Sequence, residues 1–230
     1  MIYSVARIDV SMASLFREPV FQLGVHASDI METFYKSLQS SQRLNLNDLR
    51  TFGGNSYADL KLTINIRGGQ IDITPSFLSV GLTNPAGAKE LFQLCEDTLR
   101  KALKDVEITE RRMRAHLWLV CDGGSEAVEA FLAEKGNAAL KLDHGAYAAL
   151  KKEFALQFSG LDASKAKKVA FAMERSATEG DLFLQYDNVY LGSPGVTQTV
   201  TEQFEEAGRE AEPLMLHLGL EPKRDHAGST

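Results

Sequence analysis

The sequence contains little cysteine, with only Cys95 and Cys121 among 230 residues. Cys95 falls on the apolar stripe of a predicted helix and Cys121 at the end of a predicted strand, so we expect two free core thiols and no disulfide. No apolar run approaches the roughly 18 residues that a membrane span requires. Residues 1–14 alternate polar and apolar side chains, whereas a secretory signal needs a continuous apolar stretch. These absences predict a soluble, cytosolic protein with no membrane association.

Motifs for metal, nucleotide and nucleophile chemistry are also missing. The five histidines show no HxH, HxxxH or Cys/His spacing, so we expect no metal. The glycine-containing stretches at 122–125 and 143–145 lack the patterns of phosphate loops, dinucleotide folds and nucleophile elbows, and we interpret both as turns. The sequence therefore predicts a non-catalytic protein without a cofactor, and an enzyme ranks third among the alternatives.

The net charge of −6 lies in the second half, where residues 107–230 carry 14 basic and 20 acidic side chains. This balance disfavours a broad electrostatic surface for nucleic acid. Three basic stretches, at 111–114, 151–152 and 165–168, would form a basic groove if they converged. Such stretches are more often the solvated ends of strands or helices, so we do not expect a nucleic-acid partner.

The most informative pattern is a repeated order of elements, βαβββα, in two halves. Each half has an alternating strand pattern, then a helical segment, then further alternating strands, and then a helix that a proline (Pro85 or Pro194) opens. Within this match, Gly69–Ile73 corresponds to Gly180–Leu184. The pattern predicts an internally duplicated α+β fold with halves at 1–106 and 107–218. We expect the polar tail, 219–230, to be flexible unless a neighbour holds it.

The strand pattern predicts antiparallel sheet with helices packed on one face. Either two separate sheets or one continuous sheet would satisfy it. We prefer one sheet, because pairing the first strands of the two halves removes one open edge from each. The first half is expected to contain a helix near 29–40 and three strands within 55–82. Pro213 is expected to stop or kink the closing helix of the second half.

The best candidate site is a row of alternating residues, Arg112, Arg114, His116 and Trp118, on one face of a predicted strand. Planar cations beside an indole are typical of surfaces that bind a carboxylate, a phosphate or a peptide backbone. Arg7 occupies the corresponding first-half position of Arg114. The alternative is that Trp118 packs under a helix while the arginines pair with acids on a neighbouring strand.

These features favour a binding or assembly protein that recognises a protein partner through a sheet face or edge, with a homo-oligomer as a possible form. The alternative is a carrier or sensor of a small apolar or anionic ligand held between sheet and helix. Five aromatic residues are candidates for the lining of such a cavity: Phe92, Trp118, Phe154, Phe158 and Phe171.

The stretch from Gly69 to Leu119 combines an Ile-Asp-Ile-Thr-Pro-Ser strand and turn, a proline-started helix, Ile108-Thr109 and a strand from Arg112. It resembles a family of sporadically distributed, uncharacterised bacterial proteins built from two βαβββα-like halves. That family tends to carry Arg-Tyr-x-Asn in the later strand, where this chain has Arg114-Ala115-His116-Leu117. The resemblance implies the fold and assigns no functional residue.

The missing ligand motifs lead to a direct prediction. The purified protein should contain no stoichiometric metal and no bound nucleotide, because the spacings that hold them are absent. Elemental analysis and an ultraviolet absorbance spectrum check this. Stoichiometric zinc, or a nucleotide absorbance band that survives desalting, would contradict the non-catalytic interpretation.

Overall fold

A computed structural model describes residues 1–53, 56–84, 86–140, 154–192 and 198–223. The described helices are α1 (Gln22–Val25), α2 (Ala27–Gln42), α3 (Ala88–Ala102), α4 (Gly124–Leu140) and α5 (Val200–His217). The described strands are β1 (Ile2–Phe16), β2 (Leu49–Phe52), β3 (Lys61–Ile66), β4 (Gly69–Ile73), β5 (Phe77–Thr83), β6 (Ile108–Cys121), β7 (Leu156–Asp162), β8 (Lys167–Arg175), β9 (Leu182–Leu191) and β10 (Glu221–Pro222). The chain has an α+β fold, as the sequence predicts.

All ten strands belong to one sheet, with the order β2-β3-β4-β5-β1-β6-β9-β8-β7. Neighbours along this order are antiparallel, and β10 adds a short parallel pair to β1. The long strands β1 and β6 pair at the centre, in a register that sets Met12 opposite Met113 and Ile8 opposite Leu117. The prediction of one continuous sheet joined through the first strands of the two halves is confirmed.

The helices cover one face of this sheet. Along β1 and β9 the buried residues alternate with half-exposed ones, as expected when only one face meets a core. The buried side chains of all five helices join two apolar clusters with the buried strand residues. We call the helix-covered side the covered face and the other side the open face. The larger cluster includes Met113, Tyr190 and Val200 and so crosses the expected boundary at 106/107.

Helix α3 shows why these segments form helices. Leu91, Phe92, Cys95 and Leu99 recur at steps of one, three or four, and all of them are buried. This spacing puts them on one stripe that packs against the sheet. Gly87, the residue just before the helix, has a φ of 76°, a left-handed conformation that glycine adopts readily.

The closing helix differs from expectation. Pro213 was expected to stop or kink the helix; it lies inside α5, which continues to His217, so the helix does not stop there. Proline lacks an N–H and cannot donate to the carbonyl of Arg209. The last turn nevertheless packs into the second apolar cluster through Met215, with Leu214 and Leu218 against it. Tertiary packing therefore holds a turn that local preference disfavours.

The two halves do not match residue by residue as the sequence pattern suggests. The first half has an additional strand, β2, which is short and mostly exposed and therefore lacks the alternation that marks a strand. The stretch 167–192 contains two strands, whereas the stretch of the first half that it was expected to match contains three. Gly69–Ile73 forms β4, whereas Leu182–Leu191 forms β9, which pairs with β6 as β5 pairs with β1. The correspondence of Gly69–Ile73 with Gly180–Leu184 is thus wrong, and duplication stays a prediction.

A neighbour holds the start of the tail. The N-terminal ammonium donates to the carbonyl of Gly219 at 2.6 Å, and Glu221 and Lys223 donate backbone N–H groups to Met1 and Tyr3. For residues 219–223 the stated condition is therefore met, since a neighbouring segment holds them. Residues 224–230, like Pro85 and Pro194, lie outside the described residues.

The thiols of Cys95 and Cys121 are both free and buried, as predicted. Burial is the main cause that raises the pKa of Cys121 to about 11, so this thiol is protonated at neutral pH. In the described part of the chain, no helix is long and apolar enough to cross a membrane.

A buried ion pair joins the two halves beneath the helices. Arg111 on β6 donates two hydrogen bonds to the carboxylate of Glu96 on α3, at 2.6 and 2.9 Å, and the two side chains are 1% and 4% exposed. Ser14 on β1 donates to the same carboxylate, and Arg111 also donates to Gln203 on α5. Four elements therefore meet at one charged group.

The protonation state of Glu96 follows from this geometry. Burial by itself would raise the pKa of Glu96, but the hydrogen bonds and the charge of Arg111 outweigh burial and hold the pKa below its ordinary value. The ion pair therefore contributes stability above pH 4.5, and that stability is lost as the pH falls through the lowered pKa of the folded state.

A second buried cation supports α5. The Lys167 ammonium, 1% exposed, donates to Glu206 at 3.2 Å and to Glu210 at 2.6 Å. The hydroxyl of Tyr186 also donates to Glu210. Charged groups thus lie between the sheet and α5 where apolar side chains would be usual, and each has a partner of opposite charge.

We expect Glu96→Gln to lower the free energy of unfolding by about 3–5 kcal/mol, because Arg111 would keep a buried charge without its counterion. The matched control is Glu32→Gln, which removes an exposed pair with Lys36 and should cost less than about 1 kcal/mol. Urea denaturation at neutral pH measures both. Equal small losses would show that the buried pair does not hold the fold together.

Candidate functional site

The predicted row on β6 lies on the open face. Arg112 and Arg114 are exposed, and His116 and Trp118 are half-buried. The alternative that Trp118 packs under a helix is therefore wrong, because the helices cover the other face. The arginine part of that alternative is right for Arg114, which pairs with Asp187 on the neighbouring strand β9, but Arg112 pairs with Glu110 on its own strand.

An aromatic cluster forms where β1, β6 and β9 lie side by side. The register sets Trp118 opposite Arg7 on β1 and Phe183 on β9. The guanidinium carbon of Arg7 lies 4.8 Å from the centroid of the indole, a cation–π distance. The rings of Trp118 and Phe183 are 5.2 Å apart, and His116 lies 6.0 and 5.3 Å from them. Three ring systems and one cation thus share one patch.

Acids on the same face fix the arginines in place. Arg7 donates two hydrogen bonds to Asp9, at 2.6 and 2.9 Å, and lies 3.6 Å from Glu179. Arg114 donates two to Asp187, at 2.7 and 3.0 Å. Bidentate pairs of this kind hold the guanidinium plane in one orientation. The patch therefore carries polar groups of fixed direction and little net charge.

A depression of about 430 Å³ lies beside this patch, between His116 and Arg114 on one side and the β4–β5 hairpin on the other. Gly81 on β5 is in its lining, and a Cβ added there would have no heavy atom within 4 Å. The missing side chain leaves room on an otherwise continuous sheet surface. Asp9 and Ser11 form the wall that faces the hairpin.

His116 lines this depression and has a buried ring nitrogen without a hydrogen-bond partner. Its Nε2 atom is shielded from solvent and makes no hydrogen bond. Burial is the main cause that lowers the pKa of His116, and the charge of Arg114 lowers it further. The imidazole is therefore neutral at neutral pH, so it can accept or donate a hydrogen bond through Nε2 according to its tautomer.

The structure brings the predicted residues Arg7, His116 and Trp118 together, with Arg114 at the other end of the patch. Arg112 lies further along β6, where it pairs with Glu110. Sequence reasoning missed Asp9, Phe183, Asp187 and Gly81. The alternation in β9 assigns Phe183 and Asp187 to one face, but no local signal places β9 beside β6.

The aromatic residues considered as a cavity lining do not meet in one place. Phe92 is fully buried in the larger apolar cluster, and Phe171 belongs to the second. Phe158 stacks on Phe171 at 5.4 Å and is 43% exposed, and Phe154 packs against the second cluster. Trp118 lies on the opposite face of the sheet.

The basic stretches do not form a groove in the described residues. Arg111 and Lys167 are buried in ion pairs with acids of α3 and α5, so neither presents charge to solvent. Lys165 pairs with Glu206. The stretches at 143–145 and 151–152 lie outside the described part of the chain.

No family model and no curated protein matches this chain. The resemblance to the family of two-halved bacterial proteins therefore stays a prediction. Among the described residues, no group of three or more histidine, cysteine, aspartate or glutamate side chains is placed to hold a metal ion.

The position of Trp118 leads to a stability prediction. Trp118→Ala should lower the free energy of unfolding by about 1–2 kcal/mol, the sum of a cross-strand aromatic pair and a cation–π contact. Phe92→Ala is the matched control within the core and should cost about 3–5 kcal/mol. Urea denaturation followed by circular dichroism measures both variants. A loss for Trp118→Ala as large as that for Phe92→Ala would mean that Trp118 is a core residue.

Proposed function

We propose that this chain is a non-catalytic, cytosolic binding or assembly protein that recognises a protein partner through the open face of its sheet. The contact surface is centred on Trp118, His116 and Arg7, with Phe183 beside them. The observation that carries the proposal is this half-exposed aromatic and arginine cluster, which lies at the centre of a sheet face that no described helix covers.

The composition of the patch favours a protein partner. Tryptophan and arginine are the residues most enriched at the energetic centres of protein interfaces. The two arginines nearest Trp118 and His116 are held in place by Asp9 and Asp187, so a partner that docks there does not have to order them. The main groups of the surface are therefore pre-organised.

Nucleic acid fits this surface less well. Binding to phosphates requires basic groups that are free to replace counterions. On the open face, Arg7, Arg112, Arg114 and Lys61 each form an ion pair with a carboxylate. A duplex or a single strand would have to compete with these acids for the four cations.

The depression beside His116 supports recognition of a neutral polar side chain. A partner group placed there would meet the polar residues that line it, among them Ser11 and Gln70. Specificity would then come from the depression, and most of the affinity from Trp118.

The carrier or sensor alternative has less support, because its five aromatic residues are divided among two apolar clusters and the open face. An enzyme has less support again, because no pair of groups at the depression forms a nucleophile with an adjacent base.

The test uses the tagged full-length protein as bait in its source cells, with the co-purified proteins quantified by mass spectrometry. A specific partner should be recovered by the wild-type protein and lost with Trp118→Ala, since removing an interface centre costs about 2 kcal/mol, or roughly thirtyfold in affinity. Gly81→Leu should also weaken binding by filling the depression.

The matched control is Val25→Ala on α1, a helix on the covered face of the sheet, where the side chain is 80% exposed. It should recover the partner at the wild-type level. If Trp118→Ala and Gly81→Leu both fold and both retain the partner, the open face is not the binding surface.

A further inference from the structure

The two edges of the sheet differ in a way that bears on assembly. One edge is β2, which has only four residues and carries the exposed Arg50. Short length and charge are the usual means by which proteins prevent an edge strand from pairing with another chain. The other edge, β7, is longer and carries a charge only at its last residue, Asp162.

Strand β7 has seven residues, pairs with β8 along its whole length, and has no strand on its other side among the described residues. Its first six residues, Leu156–Leu161, include no charge and no proline. Phe158 is 43% exposed on one face and Leu161 is 61% exposed on the other. A long, uncharged edge with exposed apolar side chains is a template for a further strand.

We propose that the chain forms a twofold homodimer in which β7 of one copy pairs antiparallel with β7 of a second copy. A second copy of the chain fits this edge because the strand is complementary to itself. A pairing centred on Ser159 sets Phe158 of each copy opposite Gly160 of the other, and Leu161 opposite Gln157. No like charges meet across this register.

The Phe158–Gly160 pairing is the most specific element. A Cβ added to Gly160 would have no heavy atom within 4 Å, so space is open beside it. Phe158 already stacks on Phe171 at 5.4 Å, which orients its ring at the edge. An aromatic side chain that covers a cross-strand glycine is a stabilising arrangement in sheets, and the twofold axis would produce it twice.

The dimer would have a consequence for the open face. A twofold axis perpendicular to the sheet keeps the open faces of both copies on the same side. The two aromatic and arginine clusters would then lie on one continuous surface, which could bind a two-site partner with increased avidity. The dimer itself does not depend on the proposed function, since β7 is at the edge and Trp118 at the centre.

Sedimentation velocity tests the dimer between about 1 and 100 µM, a range that brackets the micromolar dissociation constant expected of a small interface. The wild-type protein should shift from monomer to twice the monomer mass. Ser159→Lys should abolish the shift by placing two ammonium groups at the axis. Thr51→Lys, which adds the same charge at an exposed position of the other edge strand, β2, should leave it unchanged. Monomer throughout for the wild-type protein, or a dimer that persists in folded Ser159→Lys, would overturn the proposal.

A second variant adds no charge. Ser159→Cys should form a disulfide dimer under mild oxidation, because the axis brings the two Ser159 positions directly opposite each other. Thr51→Cys should not, and the native Cys95 and Cys121 are buried and do not compete. Failure of Ser159→Cys to cross-link while the protein dimerises would place the interface elsewhere. Neither assay requires a binding partner, so its outcome is separate from that of the partner experiment.

Discussion

The buried ion pair between Arg111 and Glu96 is the interaction on which the rest of the structure depends. It links β6 of the second half to α3 of the first, and through Ser14 and Gln203 it also holds β1 and α5. An apolar contact would tolerate a shifted register, whereas a bidentate pair with a buried counterion does not. The central strands are therefore locked in the one alignment that sets Trp118 beside Arg7.

The difference between the two faces of the sheet follows from the same buried ion pair, Arg111–Glu96. The covered face packs against the helices and contains the buried ion pairs, and this packing fixes the backbone of β1, β6 and β9. The open face then displays side chains from three rigid strands. Its arginines Arg7, Arg112 and Arg114 are held by local acids, and a depression lies beside His116. A surface of this kind is pre-organised for binding, which reduces the entropy lost when a partner docks.

Patterns in the sequence predicted the features that depend on residues close together in the chain. Alternation assigned Arg112, Arg114, His116 and Trp118 to one face, and the cost of an open edge favoured the β1–β6 pairing. The same alternation puts Arg111 on the apolar face, where its burial went unrecognised because its counterion is fifteen residues away on a helix. Phe183, Asp187 and Gly81 reach the site only through strand order, which depends on long-range pairing. β2 was missed because it is short and mostly exposed.

The most direct test of the central claim uses the fact that the chain contains one tryptophan. Incorporation of 5-fluorotryptophan gives one fluorine resonance that reports on Trp118 at the centre of the open face, even in a complex with a tryptophan-containing partner. We predict a resonance that is sensitive to solvent isotope in the free protein, and that shifts and loses this sensitivity in the stoichiometric complex with its partner. A resonance that stays unchanged when the complex forms would show that the partner binds elsewhere.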